Sequence, residues 1–261
     1  MCIRDRLILV SSVFNGFERE MRDRVLQAIP HASIDGNIKK SEVEAIQKIL
    51  KENTQIIGRD TYNETQALLS SSNSLKGAYI FGIVPNQEEK VSLVSKSLIN
   101  GSWKSLEEEK YGILIGDILA FQMGVGIGDM INVMVPDTSV SLVGILPRTK
   151  RFKVTGIFSL GAPEIDHSYT FINIKNAGKL LRMEDSVHGV RIKYQDLFKA
   201  RELIFKDRNR INQNLSKQYY STNWTNTYGT LFKAINMEKF LVSLLLSLVV
   251  LVAIFLSLIH I

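Results

Sequence analysis

Cysteine is nearly absent from this chain of 261 residues: there is one, Cys2. An internal disulfide and a cysteine-based metal site are thereby excluded, and cysteine usage carries no information on redox compartment. Histidine is almost as scarce. His31, His167, His188 and His260 show no i, i+4 pairing and no carboxylate or cysteine at ligand spacing, so no metal and no cofactor is expected. No G-x-x-x-x-G-K-[ST] occurs, which excludes nucleotide hydrolysis through a P-loop. The glycines of "GVGIGD" (124–129) follow a helix and precede a strand, the reverse of a dinucleotide site. No G-x-S-x-G is present. "DHS" (166–168) is read as strand, where neighbours point to opposite faces, so it makes no triad. "LEEEK" (106–110) reads as a solvated face. Charge of one sign is in modest excess, +6, and no Lys/Arg run interleaves with aromatics, so nucleic acid is not an expected partner.

Apolar material is plentiful. Hydrophobic residues make up 45% of the chain and charged ones 22%, enough for a core. Residues 240–258, "FLVSLLLSLVVLVAIFLSL", are 19 residues without a charge. As a helix they would reach roughly 28 Å, about the hydrocarbon thickness of a bilayer. "LILVSSVF" (7–14) is too short to span and reads either as the stub of a membrane helix or as a weak strand. The terminal "MCIRDR" and "SLIHI" resemble translated sequencing-adapter edges. That implies a fragment of a longer protein, cut inside two membrane helices, in which Cys2 and His260 carry no meaning.

Between the apolar ends, helical and extended patterns alternate. Phe17, Met21, Val25 and Ile29 share a face of a helix over 14–30, stopped by Pro30. "SIDG" reads as a short strand and turn. Ser41 and Glu44 form a capping-box pattern for a helix over 42–52. Strands are expected at 54–59, 64–71 and 76–85, and a short helix over 91–99 closed by Asn100-Gly101. A strand over 111–116 leads into the helix "DILAFQM", with Gly124 as its C-cap. Further strands are expected at 130–136, 151–158, 168–174 and 186–194, with helices over 175–183, 196–209 and 226–240. The class is α+β: a split β-α-β (ferredoxin-like) domain over 31–226 with an inserted strand-rich part near 95–160. It is flanked by a connecting helix at 15–30 and another at 227–239, then by membrane segments at 1–14 and 240–258.

One stretch stands out, "VMVPDTSVSLVGILPRTKRFKV" (133–154). Pro136 and Pro147 bracket an apolar run, and each removes a backbone donor, so a sheet cannot simply continue there. Ser139 and Ser141 alternate with Val140 and Leu142, giving one arm an apolar face. Packing on the parent domain and projection toward a partner both fit this hairpin at 136–147.

"NGFERE" (15–20), "PHASI" (30–34), "GILIGDILAFQMGVGIGDMINVMVP" (112–136), "RFKVTGIF" (151–158), "EIDHSYTFINIKNAGKLLRM" (164–183) and "LFKAINMEKFLVSLLLSLVVLVAIF" (231–255) together resemble the permeases of the lipoprotein-releasing ABC transporter, the LolC/LolE family. The resemblance runs from about residue 7 to 255, with the motifs in order. It implies a periplasmic domain between the first two transmembrane helices of a permease in the bacterial inner membrane. It implies no enzymatic activity on this chain. The partners would be a cytoplasmic ABC ATPase subunit on a separate chain, a second permease subunit, identical or paralogous, a lipoprotein substrate, and a periplasmic lipoprotein chaperone that receives it. One permease type carries a hook that docks the chaperone, and its place is matched by Pro136, Val140, Leu142, Val143, Ile145, Leu146 and Pro147. "DHSYTFINI" and "SVHGVRIKYQDLFKA" resemble the other type, which suggests a hybrid. "GIVP" (82–85) departs from the family, which more often has an acidic residue before that proline. Acyl chains would enter between permeases, against Phe14, Phe17, Met21, Phe240 and Phe255. Each CH₂ costs about 0.8 kcal/mol to lift from lipid, so extraction needs an apolar sink and an energy source. Two alternatives stay open: a related permease that exports another substrate or regulates a cell-wall hydrolase, and a membrane-anchored domain without transport.

Overall fold

The structure, a computed structural model, describes residues 12–13, 16, 29–72, 74–136, 147–215 and 217–260, though not every side chain inside the last helix. The chain divides into two units, Arg24–Asn223 and Met1–Asp23 with Trp224–Ile261.

The unit Arg24–Asn223 is built on β1 (Ala32–Lys39), α1 (Lys40–Lys51), β2 (Ile56–Ser70), β9 (Ser186–Tyr194), α7 (Ala200–Leu215) and β10 (Tyr220–Asn223). The strands lie in the order β10-β1-β9-β2, each pair antiparallel. This is a split β-α-β sheet, the ferredoxin-like arrangement, with α1 and α7 packed on it. Its core holds Ile34, Ile38, Ile46, Leu50, Val190, Ile192 and Ile211, all fully or nearly fully buried.

The rest of the unit lies between β2 and β9 in the chain. It comprises β3 (Leu75–Ile83), α2 (Pro85–Glu88), β4 (Leu98–Gly101), α3 (Ser105–Glu108), β5 (Gly112–Gly116), α4 (Asp117–Met123), β6 (Met130–Val135), β7 (Arg148–Phe158), α5 (Pro163–Asp166), β8 (Tyr169–Asn173) and α6 (Ile174–Leu181). The pairings β2-β3-β8-β5-β7-β6 return to β2 and close a six-stranded ring. Closure leaves no free edge among those strands. Leu69, Ile80, Ile113, Ile115, Ile131, Val133, Phe152, Val154 and Ile172 fill the interior, with Leu119 and Met123 from α4 and Ala177 and Leu180 from α6 packed against them. Phe152 alone, fully buried, contributes roughly 1.5–3 kcal/mol. The ring draws its strands from 56–83 and 169–173 as well as from the strand-rich part near 95–160.

Several local expectations are corrected. The strands expected at 54–59 and 64–71 are one, β2, because the polar break between them is interior: Asp60 and Asn63 are buried. β2 gives Ile56–Tyr62 to β9 and Asn63–Ser70 to β3, and so joins the sheet to the ring. The turn expected at "SIDG" is a bulge inside β1, with Asn37 left-handed at φ 49°. α1 starts earlier than expected, with the Lys39 amide donating to Glu42 Oε2 at 3.1 Å in place of a Ser41 cap. Residues 91–99 form a single 3₁₀ turn, Val94–Ser97, before β4 pairs with β7. α7 begins at Ala200 rather than 196, because Asp196 Oδ1 accepts from the Phe198 amide at 2.9 Å and makes a turn there. "DHS" is not strand: Asp166 ends α5, and His167 and Ser168 lie in the turn after it. Asp166 is spent on the amides of Leu160 (2.8 Å) and Ala162 (3.1 Å). β10 was not expected at all.

A buried charge cluster pins the two parts of β2's surroundings together. Arg191 Nη2 on β9 donates to Asp60 Oδ2 on β2 at 2.9 Å and to Glu88 Oε2 on α2. All three side chains are buried. The guanidinium lies 5.0 Å from the Tyr62 ring centroid and 5.6 Å from that of Phe81. Two carboxylates face one cation, and burial, then the like charge of Glu88, push the Asp60 carboxyl well above its ordinary value, against the pull of Arg191.

The second unit holds α8 (Trp224–His260), one continuous helix of 37 residues that includes the uncharged stretch 240–258. Among the described residues no helix is long and apolar enough to cross a membrane. Within 240–258 the side chains at 253 and 256–258 lie outside the described residues.

Candidate functional site: the root of the hairpin

β6 and β7 are the arms of the hairpin singled out in the sequence. They pair antiparallel from Met130↔Lys153 to Val135↔Arg148. Alternation anchors them: Ile131, Val133 and Val135 on β6 and Phe152 and Val154 on β7 are buried in the ring. Pro136 and Pro147 follow at once, both exposed, flanking the last paired position. The structure therefore brings these two together beside the last pair of β6 and β7. The residues between them, including Val140, Leu142, Val143, Ile145 and Leu146, lie outside the described residues.

The root itself is basic and ordered by specific contacts. Arg148 Nη1 donates to the Leu181 carbonyl at 2.7 Å, tying β7 to the end of α6. Lys150 Nζ sits 4.4 Å from the centroid of the Tyr111 ring. Tyr111, left-handed at φ 64°, meets Phe152 edge-on at 5.6 Å. Lys153 pairs with Glu109 at 3.0 Å on a half-exposed surface, a contact worth about 1 kcal/mol or less. Thr149 and Arg151 are exposed. Behind the hairpin, α4 supplies part of the packing; its C-cap Gly124 is left-handed at φ 63°, as expected.

The remaining sequence candidates fall elsewhere. Phe14, Phe17 and Met21 lie outside the described residues. Phe240 and Phe255 are on α8, 66% and 59% exposed. Leu248 to Val252 are all exposed, and five consecutive helical positions cover every face. Among the described residues no three of His, Cys, Asp and Glu gather as a metal site would require. Sequence reasoning missed the buried Arg191 cluster and the approach of α6 to Arg148. No local pattern announces either, since the partners lie far apart in the chain.

No family model matches the chain. Curated relatives align along nearly all of it, and they are transmembrane proteins. Three of them are transmembrane proteins of lipoprotein-releasing systems. LolC of Xylella fastidiosa (strain 9a5c) is 35% identical over 245 residues, covering 94% of this chain and 58% of that protein. LolC of Neisseria meningitidis serogroup B is 30% identical over 251 residues, covering 95% and 60%. LolE of Haemophilus influenzae is 29% identical over 255 residues, again covering 95% and 60%. The resemblance to LolC and LolE read from the sequence therefore stands, and the chain spans about three fifths of the length of these relatives. Among solved structures, the periplasmic region of MacB from Actinobacillus actinomycetemcomitans is a distant likeness, 11% identical with TM-score 0.49, covering 80% of this chain and 95% of that one.

Proposed function

We propose that this chain is part of a permease subunit of an ABC transporter that extracts lipoproteins from the bacterial inner membrane and passes them to a periplasmic chaperone. The observation that supports this most is the 35% identity to a lipoprotein-releasing transmembrane protein along 94% of the chain. In this reading Arg24–Asn223 is the periplasmic domain. The stretch 240–258 of α8 crosses the membrane, which accounts for apolar side chains exposed on every face. Phe14, Phe17, Met21, Phe240 and Phe255 border the path of the acyl chains. ATP is hydrolysed on a separate cytoplasmic subunit, and a second permease, identical or paralogous, completes the channel.

The hairpin at 136–147 is the chaperone-docking hook. Support comes from its roots: β6 and β7 belong to a closed ring, so their last pair offers a stiff base. Pro136 and Pro147 deny further backbone pairing beyond it. Exposed apolar residues on such an arm lower the free energy of binding a partner with an apolar groove. The test is capture of the chaperone by the detergent-solubilised protein. Leu142→Asp with Ile145→Asp is expected to lower capture roughly a hundredfold, from burying two charges in an apolar contact. Unchanged capture by the double variant, with folding intact, contradicts the assignment.

A further inference from the structure

The buried cluster of Asp60, Glu88 and Arg191 joins elements that are held unequally. Asp60 and Arg191 stand directly opposite each other in the β2–β9 ladder, so two strands fix their ion pair. Glu88 comes from outside that ladder, on α2, a single turn of four residues. It enters the cluster through Oε2 alone, bonded to the same Arg191 Nη2 that serves Asp60. Its Oε1 is buried without a hydrogen-bond partner among the described residues. Nη2 carries two hydrogens, and both are spent on the two carboxylates. Of the two acids, Glu88 is therefore the one free to leave.

Charge balance sets when it leaves. Two carboxylates meet one guanidinium in a site closed to water. Tyr62 and Glu64 on β2 act on Arg191, Lys193 on β9 acts on Glu88, and further out lie Asp35 on β1 and Lys96 in the 3₁₀ turn. Among these groups Asp35, Asp60, Glu64 and Glu88 stand against Arg191, Lys193 and Lys96, an excess of one negative charge. A buried excess charge is costly, and one proton on the carboxylate pair removes it.

We propose that Asp60 and Glu88 share one proton in the folded protein, and that its loss at higher pH swings Glu88 out of the cluster and frees α2 from the β2–β9 junction. The sign follows from linkage: the closed arrangement holds the proton, so removing protons favours the open one. Release is local. Just past α2, Val91 and Val94 are fully buried, and the Lys90 carbonyl oxygen lies so near Gly58 that an added Cβ there would stand 2.1 Å from it. The chain is thus anchored beyond the turn that opens. The inference does not depend on the transporter reading, because every residue in it belongs to Arg24–Asn223.

Trp103 supplies the readout. Its indole Nε1 donates to the carbonyl of Pro85, the first residue of α2, at 3.3 Å, and its side chain is buried. Trp103 and Trp224 are the two tryptophans of the chain, so Trp224→Phe leaves one reporter. The test follows Trp103 emission of the full chain in neutral detergent from about pH 4 to 9, with circular dichroism checking that the fold persists. In the Trp224→Phe background, emission is expected to move to longer wavelength as pH rises, with the steepness of a single proton. Adding Glu88→Gln, which leaves Arg191 one carboxylate, is expected to abolish the shift; Asp60→Asn carries the same expectation if Glu88→Gln does not fold. Glu107→Gln removes an exposed carboxylate bonded to Asn86 on the same turn, and is expected to keep the shift. The proposal is overturned if emission stays flat across the range, if the shift survives Glu88→Gln, or if Glu107→Gln abolishes it.

Discussion

Arg191 holds two carboxylates at once, and the consequences can be separated by substitution. Arg191→Leu leaves Asp60 and Glu88 buried together without a cation. A loss of about 3–5 kcal/mol is expected in urea denaturation. Asp60→Asn is milder, because one carboxylate then faces one guanidinium. Its effect is on pH dependence. The folded state keeps the Asp60 proton above the ordinary value of 3.8, where the unfolded chain has released it. Folding therefore takes up a proton, and this group's contribution to stability falls as pH rises above about 4. Asp60→Asn should remove that fall. His31 acts with the opposite sign. Burial, then Lys193, lower its pKa from 6.5 to about 4, and its Nδ1 accepts from the Tyr194 amide, which requires the neutral ring. The unfolded chain protonates first, so stability is lost as pH falls from 6.5 to about 4. His31→Asn should abolish that acid-side loss while leaving the Asp60 effect. Denaturation curves across pH for the two variants distinguish the contributions.

Elements in this protein are placed by close backbone contact as much as by side-chain packing. At Gly116, between β5 and α4, an added Cβ would stand 2.1 Å from the Asp166 carbonyl oxygen. Gly116→Ala is expected to push α4 from α5 and cost about 1–3 kcal/mol, read as a lowered melting temperature. This contact also marks the limit of what sequence discloses. Period and punctuation located β5, α4 with its Gly124 cap, β6, β8, α6 and β9, because each follows local rules of alternation and capping. What escaped was set by distant partners. Asp60 and Asn63 look like a break in β2 until β3, β9 and Arg191 surround them. "YSTN" becomes β10 only because β1 is there to pair with it. The candidate site divides the same way: Pro136 and Pro147 announce the hairpin, whereas the approach of α6 to Arg148 depends on how that helix packs against the ring.

On the scale of the whole molecule, the proposal joins a ring-braced periplasmic domain, a hairpin that meets a chaperone, and a long apolar helix in lipid. In that proposal the chemistry belongs to other chains, and this one supplies surfaces and stiffness. Such a protein should do no work alone. In proteoliposomes it should release a labelled lipoprotein only with its partner permease, the ATPase subunit, ATP and the chaperone all present. The most direct measurement is therefore ATP-dependent transfer of that lipoprotein to soluble chaperone. The account predicts transfer by the wild-type assembly and at least a tenfold loss, roughly, with Leu142→Asp and Ile145→Asp. Equal transfer by the two assemblies, or none from a wild-type assembly that hydrolyses ATP, would contradict it.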